Sequence, residues 1–143
     1  MAHVVEIPVR FGHVDQAKIV YYPHLFHFGH VAMEQTFEEV LGVSYPDLLV
    51  RDRRGFPAVR IETDFLEIVP YGERLRIAVS VVKVGTTSVT WRFDATRASD
   101  GQRAFRTTVV TVCVDMDTFR PVPVPATLRP ALERLIDPAG PVG

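Results

Sequence analysis

The sequence predicts an α+β fold in which an antiparallel sheet packs on one long helix, and three observations carry that prediction. Between Pro23 and Leu41 apolar residues recur at helical spacing. From Phe56 to Asp115 the period changes to two, across four long segments broken by Pro70-Tyr71-Gly72, Gly85-Thr86-Thr87 and Ser99-Asp100-Gly101. The chain has 143 residues, of which 47% are hydrophobic and 23% charged, the size and balance of one domain able to bury a core.

In chain order, Val4 to Phe11 alternates well enough for a first strand, ended by Gly12. Pro23 suits the first turn of a helix, where its missing N–H costs nothing, and Gly42 supplies the stop. Phe26, His30, Met33, Phe37 and Leu41 form one stripe, and Leu25, Phe28, Ala32 and Thr36 an adjoining one, which predicts a helix buried over most of its girth. Gly29 lies between the stripes, where the lack of a side chain lets a sheet approach closely. Tyr45 to Arg51 reads as a short second helix, closed by the polar turn Arg51-Asp52-Arg53-Arg54-Gly55.

The strands are predicted at Phe56 to Val69, Glu73 to Val84, Ser88 to Ala98 and Arg103 to Asp115. Joined in series, they form an antiparallel meander in the simplest topology. Pro121, Pro123 and Pro125 end the sheet, Ala126 to Ile136 offers a short amphipathic helix, and Asp137 to Gly143 is expected to fray. Five strands wrapped around a central helix outline a hot dog fold, spanning the whole chain from 1 to 143 as one domain. Its unprotected sheet edge predicts pairing of protomers into a homodimer or homotetramer.

Composition narrows the function. A net charge of -1 gives no electrostatic pull toward nucleic acid or anionic lipid. The single cysteine, Cys113, sits in an apolar run and reads as a small buried hydrophobe, so no intramolecular disulfide or cysteine-rich metal site is expected. With no secretory leader pattern and no apolar run of membrane-spanning length, the expectation is a cytoplasmic protein without a membrane partner.

The stretch Phe11-Gly12-His13-Val14-Asp15-Gln16-Ala17-Lys18-Ile19-Val20-Tyr21-Tyr22-Pro23-His24 sets a lone carboxylate and several polar residues inside an apolar run just ahead of the helix. By pattern alone, Asp15 is as well suited to capping a turn as to chemistry. A helix that starts at Pro23 leaves backbone N–H groups near Tyr22 pointing out of its positive end. His24, His27, His30 and Glu34 share a helix face in pairs, but they make no recognised zinc signature and read as core or pocket-lining groups; no metal is expected.

With Asp15, Ile19, Val20 and Tyr22 at matching positions, the chain resembles the 4-hydroxybenzoyl-CoA thioesterase family of hot dog proteins, including its branch of small acyl-CoA thioesterases linked to the Tol-Pal system. The likeness continues through Phe65 to Leu75, Val82 to Ser88, and Val110 to Asp115 ahead of Arg120 to Pro125. It implies an acyl-CoA thioesterase that releases free acid and CoA without a cofactor, with Asp15 as nucleophile or as base on water. The Tyr22 backbone amide is implied as the donor to the thioester oxygen.

Around that centre, His13, Lys18 and His24 are candidate substrate contacts, and Tyr21, Tyr22, Phe26 and Phe28 suggest an aromatic entrance for a benzoyl-type or short acyl group. Lys83 and Thr86 are candidates for holding CoA; Arg51, Arg53 and Arg54 read rather as a solvated turn. The sequence also departs from the family: Lys18 stands where glycine is common, Val14 where threonine or cysteine is, Leu25 where an aromatic is, and no acidic residue appears near His30 before Glu34. Lysine tolerates positive φ poorly, so the expectation at Lys18 is a changed loop or a new partner. The competing readings are a hot dog hydratase or dehydratase using His24 or His30 with Glu34, and a non-catalytic module that binds thioesters.

Overall fold

A computed structural model describes residues 1–137. The elements in order are β1 (His3–Pro8), a 3-10 turn (Phe11–His13), α1 (Pro23–Thr36) running into a π turn (Phe37–Leu41), α2 (Tyr45–Val50), β2 (Arg54–Gly55), β3 (Ala58–Phe65), β4 (Arg74–Val84), β5 (Ser88–Arg97), β6 (Arg103–Val112), β7 (Val114–Asp115) and α3 (Arg129–Arg134). The frayed tail expected from Asp137 onward lies, past Asp137 itself, outside the described residues.

The helix begins at Pro23 and its π turn ends at Gly42, which takes φ 79° and closes on the Phe37 carbonyl. That left-handed conformation is open to glycine at little cost. α2 is capped by Ser44, whose side chain accepts from the Asp47 N–H. The first strand is shorter than predicted because the chain turns at Phe11–His13, and the long segment from Phe56 forms ladder only over Ala58–Phe65.

The five-stranded sheet is antiparallel with order β1-β4-β5-β6-β3, and β2 pairs with β7. This corrects the meander. Only β4, β5 and β6 are joined as neighbours in series; β3 crosses to the far edge and pairs with β6 from Ala58↔Thr111 to Phe65↔Phe105, while β1 pairs with β4. Period two fixes which face a residue takes but not which strand lies beside it.

The core lies between α1 and the sheet. Trp91, Phe28, Phe37, Leu75, Ile77 and Val79 are buried, and Phe37 contacts Trp91, Tyr45 and Phe56 at ring-centroid distances of 5.7, 5.2 and 5.5 Å. Full burial of such a side chain contributes about 1.5–3 kcal/mol relative to exposure. α1 buries Leu25, Phe28, Gly29, Ala32, Met33 and Thr36, whereas Phe26 is only partly covered and His30 is exposed. The prediction of a helix buried round most of its girth therefore fails within one protomer: the Phe26 and His30 flank overhangs β3, an edge strand exposed along nearly its whole length.

Candidate active site

The loop between β1 and α1 is tied to the start of β4. Val9 N–H donates to Glu73 O at 2.9 Å, Val20 N–H to Val69 O at 2.8 Å, and Tyr71 N–H to Lys18 O at 3.2 Å. Val20 is buried, between a half-buried Ile19 and an exposed Tyr21. Inside these ties the chain folds back on itself: Val14 bridges Val20, Tyr21 N–H donates to His13 O, Asp15 N–H to Ile19 O, and Lys18 N–H to Asp15 O.

This is a tight turn over Asp15–Lys18 followed by a left-handed residue, the bulged hairpin geometry that favours glycine at its last position. Lys18 occupies that position with φ 64°. The lysine thus adopts the conformation it disfavours, held there by bonds to its own N–H and C=O. Its side chain is exposed and meets no ion-pair partner among the described residues.

Asp15 caps the same turn: its Oδ1 accepts from the Ala17 N–H at 2.8 Å. The residue is exposed, and Oδ2 has no hydrogen bond among the described residues. One oxygen fixes the carboxylate while the other stays available, so capping and chemistry do not exclude each other. At the helix start, His24 N–H donates to Tyr21 O and Leu25 N–H to Tyr22 O, while Pro23 has no N–H. Among the described residues this leaves the Tyr22 amide as the donor without an acceptor at that end.

His13 is built into the scaffold. Its Nδ1 accepts from the Arg10 N–H at 2.8 Å, which puts the ring proton of the neutral form on Nε2, and its ring packs edge-on against Phe28 at 4.7 Å and His24 at 5.6 Å. Burial, followed by the neighbouring His24, His27 and Arg10, pushes the imidazole below the ordinary histidine range.

One hollow adjoins the loop and a second lies farther along α1. A cleft of about 300 Å³ is bounded by Ile19, Val20, Tyr22, Leu25 and the segment 65–69. A second cavity, of about 230 Å³, lies under α1 against Phe56, Phe93, Thr107 and Thr111, and Leu25 borders both. Tyr22 and Phe26 each meet Phe65 edge-on, at 6.2 and 6.1 Å. Tyr21, Tyr22, Phe26 and Phe65 thus form an aromatic cluster beside the cleft, whereas Phe28, expected with them, is buried in the core. Phe65, Tyr45, Phe56 and Phe93 escaped sequence reasoning, because they come together only when β3 crosses to β6.

The structure brings Asp15, Lys18, Tyr22, His13 and His24 into one region. Lys83 and Thr86 are exposed at the β4–β5 hairpin, at the other end of a strand about 33 Å long. Among the described residues no three His, Cys, Asp or Glu side chains are grouped to hold a metal ion, and no helix is long and apolar enough to cross a membrane.

A family model described as the thioesterase-like superfamily matches residues 9–132. A curated 1,4-dihydroxy-2-naphthoyl-CoA hydrolase from Nostoc punctiforme is 28% identical over 90 residues, which span 63% of this chain and 60% of that protein. The crystal structure of a thioesterase-superfamily protein from Jannaschia sp. CCS1 superposes with a TM-score of 0.87 at 31% identity, over 95% of this chain and 94% of the other. A 1,4-dihydroxy-2-naphthoyl-CoA thioesterase from Synechocystis shares the fold, with a TM-score of 0.85 at 20% identity over 96% of this chain and 100% of its own.

Proposed function

The chain belongs to the thioesterase-like superfamily, and from that premise we propose that it hydrolyses an acyl-CoA thioester to the free acid and CoA. The observation that carries the proposal is the pairing, in one short loop, of an exposed carboxylate oxygen and a helix-terminal amide that have no hydrogen-bond partner among the described residues. Thioester hydrolysis needs both a group that acts on the carbonyl carbon and a donor to the developing oxyanion.

In the route the family resemblance favours, Asp15 Oδ2 adds to the carbonyl carbon while the Tyr22 N–H donates to the carbonyl oxygen. The C–S bond breaks, CoA leaves as the thiolate and takes a proton from water, and a mixed anhydride remains on Asp15. Water then attacks the anhydride, releasing the acid and restoring the carboxylate. In the other route Asp15 takes a proton from the attacking water and no anhydride forms. Under either route His13 holds the turn, His24 borders the substrate, and the Lys18 ammonium stands at the mouth of the loop, where it attracts an anionic ester.

The proposed setting is the cytoplasm, with the chain acting as a homodimer paired through β3. That edge carries Val59, Ile61 and Phe65 at exposures of 62%, 49% and 52%, an apolar edge strand of the kind native proteins cover. Two-fold antiparallel pairing of β3 with its copy reverses the strand direction. It would bring the partner's hairpin end alongside this protomer's Asp15 end, where the partner's Lys83 and the partner's Thr86 can hold CoA phosphates.

The test is thiol release from a panel of aromatic, short and medium acyl-CoA esters, with Asp15→Asn beside the native protein. Turnover of at least one ester that disappears in Asp15→Asn is the expected result. A native protein inert on every ester, or equal turnover in the variant, overturns the proposal.

A further inference from the structure

Gly29 sits in the interior of α1 without a local reason to be glycine. It is not among the residues with positive φ, and a helix interior is where glycine is disfavoured against alanine, because it gives up the most backbone freedom on folding. Packing does not exclude a side chain either. A Cβ there would meet only the Phe93 ring, at 3.6 and 3.7 Å, ordinary van der Waals distances. Close approach of the sheet, expected from the sequence, therefore does not require glycine here.

What the absent methyl leaves is space. Gly29 lines the 230 Å³ cavity, and Phe93, the one neighbour its Cβ would touch, lines it too. We infer that Gly29 is a specificity-determining residue, keeping this cavity open as an acyl chamber for apolar groups larger than a single aromatic ring. The inference rests on the thioesterase reading above and adds to it the class of acyl group.

Three features of the cavity point the same way. Its volume is too small for CoA, yet it exceeds the roughly 150 Å³ of an apolar cavity known to take up one benzene. Its inner hydroxyls are already engaged: Thr111 Oγ1 donates to Val89 O and accepts from Trp91 Nε1, Thr107 bonds Thr63, and the Tyr45 phenol, raised above its usual range first by burial, is hydrogen-bonded by the Phe56 backbone. Apart from the exposed His30, which faces Glu34 at 3.6 Å, the lining thus offers apolar contact. Leu25 borders both this cavity and the cleft at Tyr22, and Gly29 lies about 10 Å along the helix from the Tyr22 amide. A group whose carbonyl sits at Tyr22 would pass Leu25 and end against Gly29.

The experiment compares Gly29→Ala with the native protein in thermal unfolding and in hydrolysis of acetyl-CoA, benzoyl-CoA, 2-naphthoyl-CoA and octanoyl-CoA. A residue kept for cavity volume predicts opposite signs: Tm unchanged or higher by about 3 °C, and kcat/KM on the naphthoyl or octanoyl ester at least tenfold lower with acetyl-CoA within twofold. Whichever bulky ester suffers identifies the chamber as one for fused rings or for chains. A lower Tm, failure to fold, or an equal change on all esters overturns the inference. If the native protein cleaves none of them, the thioesterase reading fails, and calorimetric binding of 2-naphthoic and octanoic acids still decides the chamber. At least tenfold weaker binding of either acid by Gly29→Ala supports it, and equal binding of both overturns it.

Discussion

The two ends of the sheet carry polar residues of quite different standing. At the end where β4 begins, backbone bonds fold the Asp15–Lys18 turn, yet they leave one carboxylate oxygen and the Tyr22 amide without partners among the described residues. At the other end the hairpin's carbonyls are taken up by itself and by neighbouring segments: Gly85 N–H donates to Ser88 O, Val124 N–H to Thr86 O, Cys113 N–H to Thr87 O, and the Arg129 guanidinium to Gly85 O at 2.7 Å. The first loop is tied by its backbone and leaves polar groups open, as the proposed chemistry requires; the second is tied to its neighbours, which favours stability. Lys83 and Thr86 are among the side chains exposed at the second end.

The contrast can be broken most sharply at Asp15. Asp15→Asn keeps an oxygen that can accept from the Ala17 N–H, so Tm should move by no more than a few degrees while kcat/KM falls about 10³-fold or more. Comparable losses of stability and activity would mean that the carboxylate only caps the turn. Next in size is the link between the ends. Val59→Glu puts a charge on the apolar edge, and light scattering should show the proposed dimer of the native protein replaced by monomer in the variant, while kcat/KM falls about tenfold. A monomer of full activity would show that each protomer's site is complete.

Smaller effects separate the two ends further. Lys83→Ala should raise KM about fivefold with kcat unchanged, and the difference from the native protein should shrink at high salt, as befits one exposed phosphate contact. An unchanged KM removes Lys83 from the site. The smallest effect is expected at Lys18: replacement by glycine relieves a left-handed conformation that costs an ordinary residue about 1 kcal/mol. Tm should rise by about 3 °C, while KM rises about twofold at low salt and less at high salt, as loss of one exposed attracting charge requires. A fall in Tm would mean that the lysine supports the turn, and an unchanged KM removes its ammonium from the site.

Much of this arrangement was legible in the chain itself. Pro23 and Gly42 bound the helical run because one lacks the N–H a first turn does not need and the other takes the φ a stop requires. Alternation located the strands, and the carboxylate-bearing run before Pro23 drew attention to the loop. These are local properties, set by backbone sterics and by which face of an element meets water, and a sequence carries them directly. It could not carry the neighbours of β3. A strand with apolar residues on one side is equally consistent with either partner until the crossover is made, and that crossover builds the cleft against Phe65 and the cavity between Gly29 and Phe93.

The same division runs through single residues. Lys18 looked like a departure that would reshape the loop, yet the turn imposes its left-handed conformation through bonds from Asp15, Ile19 and Tyr71. Gly29 looked like a packing necessity until the fold showed room for a methyl beside it. Sequence determined the elements and singled out Asp15 and Tyr22, because those choices depend on a few adjacent residues. Tertiary structure alone decided which ends of the strands lie together and where space is left, because both depend on contacts between segments far apart in the chain.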